Sequence, residues 1–118
     1  MIQFTSKLKP VIGYYRTSSA SNVGEDRDSL TRQKAAVHIY AKGQGMEVVS
    51  EFYDPAVSGT VPVTDRVQFR NMLGYIQENK TNIILVETAD RFARDLVVQI
   101  TGHDMLKAKG VDLVPVDA

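Results

Sequence analysis

Residues 82 to 88, NIILVET, form the most apolar run of the chain and constrain everything around it. A short run with no polar alternation reads as a strand covered on both faces. Such strands belong to parallel sheets, and parallel neighbours need long crossovers, usually helices. The flanking sequence supplies both. PVIGYYR (10 to 16) reads as a central strand and EVVSEFYD (47 to 54) as a second. VDLVPV (111 to 116) is a fourth, its proline marking an edge or a strand end. Between them the apolar spacing turns helical. Leu30, Val37 and Tyr40 share a stripe from Ser29 to about Lys42, with Ser29 as cap. Phe69, Met72, Leu73 and Ile76 share a second stripe from Arg66 to Glu78, and Phe92, Leu96 and Ile100 a third from Arg91 to Lys109. SNVGEDRD (21 to 28) is a polar loop, and the glycines of KGQGM end the first helix. The fold class is α/β, a mainly parallel sheet of about four strands flanked by helices.

A chain of 118 residues buries one core, so the expected organisation is a short tail (1–9) and one domain (10–118). The absence of cysteine excludes disulfides and thiolate metal sites. His38 and His103 have no carboxylates beside them at metal-ligand spacing, and no cofactor is expected. MIQFTSKLK lacks the apolar centre of a signal peptide, and no stretch reaches membrane-spanning length; a cytoplasmic protein with no membrane partner is the expectation. Fourteen basic and fourteen acidic residues give zero net charge. Nucleic-acid binders usually carry a basic excess, so this chain alone should hold DNA weakly, with another segment doing the gripping.

In open parallel sheets, sites form beyond the carboxyl ends of the strands. Three such places carry unusual polar residues: RTSS (16–19), DPAVSGT (54–60) and TADRFAR (88–94). Asp90 sits where an N-cap belongs, and Arg91 and Arg94 follow in the expected first turn. Cations there oppose the helix macrodipole at about 0.3–1 kcal/mol each, which points to an anion site as against two solvated arginines. Arg66 opens its helix in the same way, with a plain surface residue as the alternative. Gln33 lies on the stripe of Leu30 and Val37; its position suggests partial exposure, with an internal hydrogen bond as the other reading. Ser58-Gly59 taken alone is an ordinary turn. Arg16 ends a buried strand two residues before Ser18. A hydroxyl among guanidinium groups suits attack on a phosphodiester, because guanidinium forks match phosphate oxygens and positive charge stabilises the transition state.

YYRTSS, SLTRQ, YDPAVSGT, DRVQF and ADRFARD, in that order and spacing, resemble the catalytic domain of the serine recombinases, the resolvase/invertase family. The resemblance covers about residue 10 to residue 118. It implies that Ser18 is the nucleophile and Arg16 its neighbouring arginine. It further implies functional roles for Gln33, Ser58, Arg66, Asp90, Arg91 and Arg94, with Asp54 in support. The implied reaction is attack on DNA to give a 5′-phosphoserine link, strand exchange by rotation within a tetramer, and religation, without metal or nucleotide. DNA and further subunits of a homo-oligomer, dimer to tetramer, are the implied partners of the full-length protein. The family's long dimer and DNA-contacting helix and its DNA-binding domain are expected to lie beyond this segment, leaving the fragment inactive alone. Residues 55 to 65 carry VPVTD where relatives are tighter, which suggests a flexible loop. A non-catalytic module that binds other recombinase subunits is the alternative, and a phosphate-binding flavodoxin-like domain a third reading.

Overall fold

The computed structural model describes residues 8–19 and 28–117. The tail expected over residues 1 to 9 and the loop over 21 to 28 therefore lie mostly outside the described residues. Four strands form one sheet: β1 (Lys9–Arg16), β2 (Met46–Asp54), β3 (Ile83–Val86) and β4 (Asp112–Pro115). Their order is β2-β1-β3-β4 and every neighbouring pair is parallel. Pro115 ends β4, which is an edge strand, so both readings of that proline hold.

Residues alternate between the two faces of β1, and the two faces are packed separately. Val11 and Tyr15, with Leu85, pack against Val37 and Ala41 of helix α1 (Ser29–Gly43). Ile12 and Tyr14, with Ile84 and Val86, meet Phe69 and Met72 of helix α2 (Val67–Asn79). Leu106 of helix α4 (Leu96–Ala108) closes the same cluster. The central strands are thereby covered on both sides, as the unbroken apolar run of β3 requires. The chain leaves β1 toward β2 on one side and reaches β3 on the other. The crevice between the carboxyl ends of β1 and β3 is thus the topological switch point, where such sheets place their sites.

Four details differ from the sequence expectation. Ser29 is the first buried residue of α1, and Asp28 holds the N-cap position. Gln33 is completely buried. The third helix is two: α3 (Ala89–Phe92), capped by the Thr88 hydroxyl, and α4, capped by the Asp95 carboxylate, which accepts from Val98 N at 3.1 Å. Asp90 is consequently inside a helical turn and caps nothing. Ala93 between the two is extended (φ −158°, ψ 129°), and this break rotates α4 relative to the predicted stripe. Phe92 remains buried, but Leu96 and Ile100 stand exposed.

Candidate active site

Arg16 ends β1 with no exposed surface. A buried guanidinium is tolerable only when its donors are satisfied, and backbone carbonyls from two distant segments do this. Nε donates to Arg91 O at 3.0 Å, Nη1 to Val57 O at 2.8 Å and Nη2 to Asp90 O at 2.9 Å. Burial, and then the nearby Arg66 charge, hold its pKa below the ordinary guanidinium value. Arg16 therefore clamps the 55–65 loop to α3, instead of reaching outward to an anion as the sequence suggested. Its own backbone is held from the other face. Arg16 N donates to Gln33 Oε1 at 3.2 Å, and Gln33 Nε2 donates to Arg16 O at 3.1 Å. Gln33 is buried because these bonds are available only inside.

Beyond Arg16 the chain is pinned once more before it reaches the surface. The buried Thr17 hydroxyl lies 2.8 Å from the Tyr53 hydroxyl, and Val57 N donates to Thr17 O at 3.0 Å. The next residue, Ser18, is exposed. The strand end is thus held by hydrogen bonds as far as Thr17, and exposed Ser18 follows it at the carboxyl end of β1.

Arg66 precedes α2 and is also buried. Nε donates to Val61 O at 3.1 Å, while Nη1 donates to the Tyr14 hydroxyl at 3.3 Å and to Phe92 O. Among the described residues, Arg66 Nη2 is the one buried side-chain nitrogen or oxygen without a hydrogen-bond partner. Asp54 completes this layer. Its carboxylate accepts from the Tyr14 hydroxyl at 2.9 Å and from Gln68 N and Phe69 N at 2.8 and 3.1 Å. The end of β2 therefore caps α2, whose own N-cap residue, Arg66, cannot. Burial pushes the Tyr14 phenol pKa up, so the hydroxyl stays protonated and donates to Asp54.

Arg91 turns inward: its Nη1 donates to Arg16 O at 3.5 Å. Arg94 and Asp90 are both more than half exposed and stand 3.9 Å apart. Arg91 and Arg94, expected together in one first turn, are separated by the extended Ala93, Arg91 mostly buried and Arg94 exposed. The 55–65 loop is anchored more firmly than its composition suggested. Gly59 O accepts from Arg94 N at 3.1 Å and Asp95 N at 3.4 Å, and Val63 is buried. A Cβ at Gly59 would come within 2.5 Å of Arg94 Cβ and 3.0 Å of Arg16 Nη2. Ser58 is exposed, and its hydroxyl lies 2.9 Å from that of Thr60 within the same turn. It borders a cleft of about 570 Å³ that Asp54, Val61 and Arg66 also line.

The fold thus joins Arg16, Arg66, Arg91, the backbone of Asp90 and Gln33 at one rim, with Ser18 beside them; Arg94 and Ser58 occupy its outer surface. Sequence reasoning missed Tyr14 and Gly59. Tyr14 shares the strand face of Arg16, two residues away, and that spacing was the available signal. Gly59 gave none, since its need for close approach comes from Arg94. Among the described residues no group of His, Asp and Glu could hold a metal ion.

Comparison with known proteins agrees with this architecture. The family model described as "Resolvase, N terminal domain" matches residues 11–118. The N-terminal catalytic domain of TP901-1 integrase is similar at 23% identity and a TM-score of 0.80, over 92% of this chain and 79% of that one. A resolvase family site-specific recombinase from Streptococcus pneumoniae is similar at 27% identity and a TM-score of 0.73, over 92% and 72%. A serine recombinase from Sulfolobus solfataricus is similar at 28% identity and a TM-score of 0.60, over 88% and 65%. No curated protein matches the chain. The chain belongs to the resolvase family through its N-terminal domain, and is the catalytic domain of a site-specific DNA recombinase, a strand-transferase enzyme.

Proposed function

We propose that Ser18 is the nucleophile of this recombinase and that the rim around it receives a DNA phosphodiester. The observation that carries the reading is placement. Ser18 is the exposed hydroxyl two residues past a fully buried arginine, on a strand end held from both faces of the sheet at the switch point. In the reaction, Ser18 Oγ bonds to phosphorus and the bond from phosphorus to the 3′ oxygen breaks. The hydroxyl proton leaves Oγ, and the departing 3′ oxygen gains one. The energy of the broken bond is kept in the 5′-phosphoserine link, so religation needs no nucleotide.

The arginines divide the work. Arg91 and Arg94 approach the phosphate from α3 and the segment after it, as charge-assisted donors that strengthen as negative charge develops. Asp90, beside Arg94, limits where that guanidinium can swing. Arg66 holds an unsatisfied amino group in reserve beneath the loop that bears Ser58. Arg16 and Gln33 fix the strand end, and Asp54 fixes α2. DNA is the partner, and a dimer or tetramer of the full protein in the cytoplasm is the assembly in which strands are exchanged.

Covalent trapping tests the assignment. The full-length protein, incubated with a nicked suicide duplex bearing the crossover site, forms a denaturant-stable protein–DNA adduct, and Ser18→Ala forms none while melting at an unchanged temperature. An adduct that survives in Ser18→Ala moves the nucleophile elsewhere.

A further inference from the structure

At this rim Arg91 also belongs to a cluster of charge with Arg32 and Glu87. Glu87 directly follows β3 and is almost wholly buried. Its carboxylate accepts two hydrogen bonds from Arg32 of α1, Nε to Oε2 at 2.8 Å and Nη2 to Oε1 at 3.2 Å. This fork pairing fixes the plane of the guanidinium as a single contact would not. Arg91 Nε, from α3, stands 3.8 Å from the same Oε1. Two guanidinium groups from different helices therefore share one carboxylate, and the trio carries one net positive charge.

Its position ties it to the chemistry. Arg32 directly precedes Gln33, which bonds both backbone groups of Arg16, and Arg91 also donates to Arg16 O. The trio thus abuts the strand end that presents Ser18. It is layered by exposure: the Glu87 side chain is 11% exposed and that of Arg32 55%. A carboxylate beneath and a planar cation above is the arrangement that pre-orders a guanidinium for a second anion, because its rotamer freedom is already spent.

We propose that Arg32, held beside Arg91 by Glu87, is the seat for a DNA phosphate neighbouring the scissile one to which Arg91 is assigned. Arg32 is a phosphate contact, and Glu87 is a positioning residue acting through both arginines. The inference rests on the reading that the rim of Ser18 faces DNA.

Equilibrium binding of the full-length protein to a short duplex bearing the crossover site, measured over a series of salt concentrations, tests it. All variants are made in a Ser18→Ala background, so that chemistry does not enter and a wrong nucleophile leaves the result intact. Each phosphate contact contributes about 0.9 to the slope of log K against log salt. Arg32→Ala lowers the slope by about that amount and weakens binding about fivefold, independently of flanking sequence. Arg32→Lys keeps the slope, because the charge remains, and binds between the two. Glu87→Gln is the sharper arm. Removing a negative charge should by itself tighten DNA binding, whereas loss of a positioning group weakens it about threefold. An unchanged slope in Arg32→Ala, or tighter binding by Glu87→Gln, overturns the proposal. If Glu87→Gln fails to fold, the half-exposed Arg32 substitution decides alone.

Discussion

Arg16, Gln33 and Arg66 are polar side chains with essentially no exposed surface, held at the switch-point end of the sheet. Each makes hydrogen bonds to segments far away in the sequence: Arg16 to Val57, Asp90 and Arg91, Gln33 to Arg16, and Arg66 to Tyr14 and Phe92. That is why the sequence showed which residues are unusual but not what each does. Arg16 stood out as a cation ending a buried strand, yet the carbonyls of Val57, Asp90 and Arg91 become its partners only after folding. Gln33 looked half exposed because helix periodicity carries no information about a strand packed below. Gly59 was the least legible. Its carbonyl takes two backbone donors, and the space where a side chain would sit is filled by Arg94. Gly59→Ala should accordingly cost about 1–3 kcal/mol through overpacking and also slow DNA cleavage, since Arg94 and the clamped Arg16 must both shift. Urea midpoints with a cleavage time course check this, and a wild-type rate with a wild-type midpoint would show that the loop yields freely.

Strands and helices were readable wherever one period dominated over a whole element. All four strands and the first two helices fall within a residue or two of their sequence bounds. The third helix failed because its pattern runs through Ala93 without a break, whereas Gly59 O draws the amides of Arg94 and Asp95 out of helical register. Tertiary hydrogen bonds overrode local propensity there. A comparable long-range device starts α2. Asp54, on a different element, accepts both Gln68 N and Phe69 N, the orphan donors of the first turn. Asp54→Asn leaves one oxygen to serve two amides and the Tyr14 hydroxyl. The variant should lose about 1–2 kcal/mol, the usual scale of a lost cap, with faster hydrogen exchange at Gln68 and Phe69 than elsewhere in α2. Uniform exchange along the helix would argue against a capping role.

For the molecule as a whole, the two faces of the sheet serve different ends. The α2 and α4 side buries the aromatic cluster and carries Arg16 and Arg66. On the α1 side, Glu51 accepts from the Tyr15 hydroxyl at 2.5 Å and meets His38 Nε2 at 2.9 Å, joining β1, β2 and α1. Burial alone would raise the Glu51 pKa, but the Tyr15 and His38 hydrogen bonds more than offset this and hold it below the ordinary value. A carboxyl depressed in the folded state stabilises fully above its unfolded pKa, and that contribution disappears as pH falls through the folded value. Stability should therefore decline on acidification below about pH 4.5, and Glu51→Gln should flatten the decline without altering the rate of DNA cleavage. Urea midpoints measured across this range decide it; parallel curves for the two proteins would remove Glu51 from the acid response.

The three carbonyls that hold Arg16 lie 41, 74 and 75 positions further along the chain. No N-terminal portion of the protein short of Arg91 contains the complete set. The rim that Arg16 organises is therefore complete only when all three segments have come together in the folded domain.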